Sequence, residues 1–154
     1  MDGVLCTASS TMSRREGDSI ETVDQEGIQT VIDAAIACCA PIFILVSFSR
    51  NISDDFPLAQ AKRAAERRLE ESNLDWTILL PSYFAETWLS PAVGFDVGAG
   101  KVKIYGTGEA KVSYISLEDV AGAVIASLDN ERAGKKAIPI GEPRAYSQLE
   151  GWPL

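Results

Sequence analysis

IFILVSFSRNISDDFPLAQAKRAAERRLEESNLDWTILLP, residues 42–81, is the stretch that decides the fold. Residues 42–47 are a nearly unbroken apolar run with β-branched members, which suits a strand covered on both faces. Asp54 and Asp55 are N-cap residue types, and Pro57 suits a first helical turn. The segment 57–72 then reads as a helix ending near Ser72 and Asn73. Leu58, Lys62, Ala65 and Leu69 are spaced four, three and four, so they share one face of it. WTILL at 76–80 is a second apolar strand, stopped by Pro81. Strand, helix, strand at this spacing predicts two parallel strands joined by a helical crossover.

The same alternation continues outward. VLCTA at 4–8 reads as a buried strand leading into the loop Thr7-Ala8-Ser9-Ser10. Residues 20–39 read as a helix, with a one-sided apolar stripe from Ile28 on and Asp18 or Ser19 as its cap. After Pro81 comes a long section, 82–115, with two strand-like pieces, KVKIY and AKVSYI. Ser116 and Asp119 predict a capping box opening a helix. In that helix Leu117, Val120, Ala121, Val124, Ile125 and Leu128 read as one side. KAIPI at 136–140 is the last strand, and Pro139, lacking an N–H, places it at a sheet edge. The expectation is an α/β fold in one domain spanning 1–154. It has a parallel sheet of about four main strands, helices on both faces and a small strand-containing insertion.

Composition narrows the function classes. The chain has 154 residues, 46% apolar and 23% charged, with a formal net charge of −8. That balance argues against general nucleic-acid or anionic-membrane binding. No apolar stretch reaches the ~18 residues of a spanning helix, and the first residues lack the pattern of a signal peptide. A cytoplasmic location is therefore the expectation. The three cysteines are Cys6, Cys38 and Cys39, and histidine is absent. No metal site is expected, and a Ser-His-Asp triad is excluded. Cys38 and Cys39 read as small apolar residues at a helix end, with a strained vicinal disulfide as the alternative.

Ligands of open parallel sheets bind at the carboxyl ends of the strands. Those ends read Thr7-Ala8-Ser9-Ser10, Ser47-Phe48-Ser49-Arg50 and Pro81-Ser82-Tyr83-Phe84. Such residues can hydrogen-bond a sugar, amide or phosphate, but they are also ordinary loop residues. Lys62 is the sharper signal, because it stands in the sheet-facing stripe while Arg63, Arg67 and Arg68 read as largely solvated. Either it snorkels and pairs with Glu66, or its ammonium donates to a ligand hydroxyl near the top of the sheet. Gly106 and Gly108 form a Gly-x-Gly without the third glycine, which predicts a turn and not a dinucleotide fingerprint. Tyr83, Phe84, Trp88 and Phe95 are an aromatic group that either packs as core or lid or walls an apolar substrate pocket.

Together, CTASSTMSRREGDSIETVD (6–24), VSFS (46–49), DFPLAQAKRAAERRLEESNLDWTILLPSYFAETW (55–88) and YISLEDVAGAVIASL (114–128) resemble the NmrA-like group of atypical short-chain dehydrogenase/reductases. The resemblance runs over roughly 3–150 and implies a Rossmann fold that binds NAD(P). It implies that Thr7, Ala8 and Ser9 run along the cofactor and that Ser47, Phe48 and Ser49 lie near the nicotinamide. It implies that Lys62 holds the nicotinamide ribose, and that Pro81, Ser82, Tyr83 and Phe84 border nicotinamide and substrate. Tyr83, Trp88 and Phe95 would then form the substrate pocket.

The sequence departs from the wider superfamily in two ways. Leu58 stands four residues before Lys62, where those dehydrogenases carry a proton-donating tyrosine. Lys62 and Tyr83 are thus the remaining catalytic candidates, and Tyr83 serves only if its hydroxyl reaches that point. Secondly, MDGVLCTASS resembles the family's fourth strand, so the glycine-rich strand-turn-helix unit that holds the pyrophosphate is expected to be missing. Loss of two or three charge-assisted hydrogen bonds, each ~1.5–3 kcal/mol, would weaken cofactor binding by orders of magnitude. The expected function is a non-catalytic binding or assembly module on a truncated NAD(P)-binding fold. The alternative is an NAD(P)-dependent oxidoreductase whose cofactor site is rebuilt across subunits. An open edge at residues 4–9 further predicts a homodimer, with Val4, Leu5 and Cys6 in or near its seam.

Overall fold

The structure is a computed structural model and describes residues 2–96, 98–104 and 106–150. Tyr105, the last residue of the strand-like KVKIY, and the terminal GWPL lie outside the described residues. Four strands form a parallel sheet in the order β1-β2-β3-β9: β1 (Val4–Cys6), β2 (Phe43–Val46), β3 (Trp76–Pro81) and β9 (Lys136–Ile140). Three helices connect them: α1 (Ile28–Ala37), α2 (Pro57–Glu70) and α4 (Leu117–Leu128). The insertion holds β4 (Tyr83–Phe84), the one-turn α3 (Ala85–Trp88), β5 (Phe95–Asp96), β6 (Lys101–Val102), β7 (Lys111–Val112) and β8 (Tyr114–Ile115). A short β10 (Tyr146–Ser147) pairs antiparallel with β7.

Alternation along the strands builds two cores. Phe43, Leu45, Trp76, Ile78 and Leu80 face Ile28, Ile32, Ala35, Ala65 and Leu69 of α1 and α2. On the other face Ile44 and Leu79 pack with Val124 of α4. Helices therefore cover both faces, as the buried apolar strands require. Pro139 sits on the edge strand β9 opposite Leu80, where no neighbour needs its absent N–H.

Several local expectations change. The helix expected over 20–39 begins as a π-helix, Ile20–Gly27, that runs into α1. Ser19 caps it through a reciprocal pair with Thr22. The wide turns bring the Thr22 carbonyl within 3.0 Å of where a Gly27 Cβ would stand, so only glycine fits the junction comfortably. Neither Asp54 nor Asp55 caps α2. Phe56 holds the N-cap position without a side-chain bond, and Pro57 needs no donor partner. Asp54 instead accepts from Arg63 and Asp55 from Ser53. Arg63 is buried rather than solvated, because its planar fork finds acceptors on the loop after β2.

Cys38 and Cys39 are exposed free thiols and not apolar filling. α1 closes in a Schellman motif, with Ala40 N–H on Ala35 O at 2.9 Å and Cys39 N–H on Ile36 O at 3.1 Å. Cys39 takes the left-handed position (φ 51°) where glycine is usual, and its side chain is turned outward. In α4 only Val120 and Val124 are buried; Leu117, Ala121, Ile125 and Leu128 are exposed.

Candidate functional site

Loops at the carboxyl ends of β1, β2 and β3 form the top of the sheet. The deepest group there is an ion pair. Lys62, on the sheet side of α2, reaches past β1 and donates from Nζ to the Ala8 carbonyl at 2.7 Å. The same nitrogen lies 2.9 Å from Oδ1 of Asp24, with side chains 4% and 0% exposed. Asp24 is delivered by the π-helix. Its Oδ2 accepts from the Ser10 amide at 2.9 Å and the Ser10 hydroxyl at 2.5 Å. Burial by itself raises the Asp24 pKa. The two Ser10 hydrogen bonds and then Lys62 outweigh it, holding the carboxyl below its ordinary value. Lys62 therefore pairs with Asp24 and not with Glu66.

A second charged group supports the end of β2. Glu66 is 1% exposed and accepts from the Ser47 hydroxyl at 2.5 Å. It also accepts from Arg50 at 2.9 and 3.1 Å and from Arg63 Nη1. Arg63 continues outward to the carbonyls of Phe48 (3.2 Å) and Ser49 (2.9 Å) and to Asp54 (3.2 Å). Its guanidinium lies 4.8 Å from the Phe48 ring centre, and Phe48 stacks on Phe56. The Ser47 hydroxyl and the Phe48 and Ser49 carbonyls are thus engaged inside the protein.

At the end of β3, Pro81 is buried and its carbonyl accepts from Ser49 N–H at 2.8 Å. The Ser82 amide bonds Ile140 O at 2.9 Å, while the Ser82 Oγ is buried without a hydrogen-bond partner. A Cβ on Gly141 would stand 2.7 Å from that oxygen and 2.8 Å from Ser113 Oγ, so glycine keeps this place open to both hydroxyls. Tyr83 pairs with Tyr114, Phe84 with Ile115. The Tyr83 ring meets Trp88 edge-on, 5.1 Å between centroids. Trp88, Phe95, Tyr114 and Tyr146 line a small cleft bounded by Ser147 and Gln148, and Tyr83 touches it through Trp88. Burial, and secondarily Tyr83, raise the Tyr114 pKa and keep that phenol protonated.

Of the sequence-derived site residues, the fold brings Thr7, Ala8 and Ser9 to one side of the sheet top, with Ser9 Oγ on Thr11 at 2.8 Å. Lys62 joins them there. Tyr83 does not, for β1 and β3 are two strand spacings apart, about 10 Å. Asp24 is the residue that sequence reasoning misses; Ser10 stands among the strand-end residues, Glu66 enters only as a partner of Lys62, and Arg63 only as a solvated residue. Asp24 had the same signal as Lys62: it stands four residues from Ile20 and four from Ile28, an acid inside the apolar stripe.

A family model described as NAD(P)H-binding matches residues 1–131. The chain belongs to that family. The chain is 26% identical over 145 residues to the photosystem II assembly factor Ycf39 of Synechocystis sp., covering 92% of this chain and 44% of that protein. It is 31% identical over 147 residues to the uncharacterized sugar epimerase YhfK of Bacillus subtilis, covering 92% and 63%. It thus spans 44% and 63% of the length of these curated relatives.

Similar solved structures include UDP-glucuronic acid 4-epimerase from Bacillus cereus in complex with NAD. Its TM-score is 0.78 and its identity 18%, over 97% of this chain and 57% of that one. UDP-glucose 4-epimerase from Thermotoga maritima has a TM-score of 0.68 at 18% identity, over 97% and 58%. At such identities these likenesses show the fold, in keeping with the Rossmann architecture that the NmrA-like resemblance implied. For a dinucleotide, Thr7, Ala8 and Ser9 are small and exposed at the end of β1, while at the end of β3 Ser82 carries a buried hydroxyl without a hydrogen-bond partner. Lys62 has three donors and spends two on Ala8 and Asp24. Among the described residues no glycine-rich turn joins a strand to a helix at the sheet top.

Proposed function

We propose that this chain is a non-catalytic binding or assembly module built on the NAD(P)H-binding fold. One observation carries the reading: the lysine of the site is committed to Asp24 and the Ala8 carbonyl, with Leu58 one turn before it on α2. A leucine has no proton to give, and Tyr83 lies at another strand end, turned to Trp88. The name of the relative Ycf39, an assembly factor, supports the assembly side of this reading. The three free thiols suit a reducing compartment, and we place the module in the cytoplasm. No helix among the described residues is long and apolar enough to cross a membrane.

The test is a thermal-shift titration of the 154-residue chain with NAD(H) and NADP(H) up to ~1 mM. A ligand at its Kd adds only about 0.4 kcal/mol, so little movement of Tm is expected if binding is millimolar or weaker. A robust shift that disappears in Lys62→Met, scored against that variant's own baseline, would overturn the reading. It would favour an NAD(P)-dependent oxidoreductase whose cofactor site is completed by another subunit, a reading that the unpartnered Ser82 hydroxyl supports.

A further inference from the structure

α1 ends on two neighbouring thiols. Cys38 closes its last turn and Cys39 stands one residue beyond, and both are exposed and free. Cys38 leans back, with its Sγ 3.6 Å from the Ala35 carbonyl. Cys39 holds the left-handed position at φ 51°, where glycine would sit without the crowding that a Cβ brings. The third cysteine, Cys6, is unlike them: it is 5% exposed and packed in the core that α1 covers. Three properties of the pair limit what it can hold. Adjacent Cα atoms are about 3.8 Å apart, closer than the ~4.4–6.8 Å that a relaxed disulfide spans, so a direct S–S bond is strained and an atom set between the sulfurs relieves it. The pair offers two donors and no more, since among the described residues no group of three or more His, Cys, Asp or Glu side chains is placed to hold a metal ion, whereas Zn²⁺ takes four ligands. Finally, the carboxyl end of a helix is the negative end of its dipole, which favours a bound species that leaves the sulfurs neutral over a bis-thiolate.

We propose that Cys38 and Cys39 form a capture site for monosubstituted trivalent arsenicals, R–As(OH)2. Two As–S bonds form and two As–O bonds break. Each thiol proton leaves with a hydroxide as water, and arsenic stays trivalent, so no oxidant or reductant is needed. The product is neutral, uses both sulfurs and sets one atom between them. Once the first bond has formed, the second thiol is held beside the arsenic at an effective concentration that a monothiol in solution does not match. Cys6 cannot compete, because its neighbours on β1 carry no thiol and its side chain is sealed in the core. The site is also separate from the strand-end loops: α1 leads into the start of β2, so its carboxyl end lies at the amino ends of the strands. Capture there does not depend on whether a cofactor binds at Lys62.

Intact-mass spectrometry of the full, reduced chain with equimolar phenylarsine oxide, which hydrates to the dihydroxy form, tests this. The expected result is one arsenical per chain, held in excess glutathione and released by a small dithiol. Both surface thiols should become unreactive toward dithionitrobenzoate, leaving Cys6 as the thiol that reacts after denaturation. Cys38→Ser and Cys39→Ser should each release the arsenical at a glutathione concentration at least ~10-fold lower than the parent chain requires. Cys39→Gly, which suits the left-handed turn, should lose capture with far-UV dichroism unchanged, and it keeps the test decisive if a serine variant misfolds. An arsenical that glutathione strips from the parent chain as readily as from Cys38→Ser overturns the proposal. So does one bound through Cys6.

Discussion

The ends of β1 and β2 both carry buried charge, yet they handle it differently. At β1 a single lysine faces a single carboxylate, both sealed from solvent, with Ser10 donating to Asp24 and the Ala8 carbonyl accepting from Lys62. At β2 one carboxylate, Glu66, is shared by two arginines and a serine, and Arg50 on its outer side is half exposed. The closed pair is buried and has no second charged partner, whereas the shared network has a second arginine and a half-exposed end. Buried pairs of the first kind contribute little net stability but are costly to break, because the survivor keeps its charge without a partner.

The largest effect should come from splitting the closed pair. Lys62→Met strands Asp24 and should cost about 3–5 kcal/mol in chemical denaturation. Lys62→Met with Asp24→Leu should cost clearly less than the single change; an additive double variant would break the contrast. Arg63→Ala should cost about 1–3 kcal/mol, since Glu66 keeps Arg50 and Ser47 while the Phe48 and Ser49 carbonyls lose their donor. Faster amide exchange confined to residues 47–56 would show that loss.

Arg50→Ala, at the exposed end, should cost about 0–1 kcal/mol and become undetectable in molar salt. Acid sharpens the comparison further. The Asp24 pKa is lower in the folded chain than its ordinary carboxylate value, so its contribution is complete above that ordinary value and fades as pH falls through the lower folded value. Asp24→Asn should remove that component from the acid limb of stability against pH; an unchanged limb would show that Asp24 is not held ionised. The smallest expected change is Leu58→Tyr, which should leave stability within about 1 kcal/mol and produce no hydride transfer with NAD(P)H. Appearance of turnover would mean that only the phenol was missing beside Lys62.

What could be read in advance follows range of interaction. Apolar runs at 42–47 and 76–80, the stripes of α1 and α2, the Ser116 cap and the edge placement of Pro139 all rest on local spacing, turn chemistry or a missing N–H. Those act within a few residues, so the sequence by itself determined the elements, their order and the parallel sheet. Lys62 stood out for the same reason, as a charge at the wrong place in a stripe. Asp24 carried the same mark, four residues from Ile20 and from Ile28, but it lies on a different helix, and spacing does not say which charge meets which. Arg63 reads as a surface residue until the loop after β2 folds over it and offers two carbonyls. The six apolar residues of α4 read as one buried side, yet the sheet is wide enough to cover only Val120 and Val124. Which charge meets which, and which apolar flank stays bare, depend on how distant segments are set against one another, and the tertiary structure alone decided them.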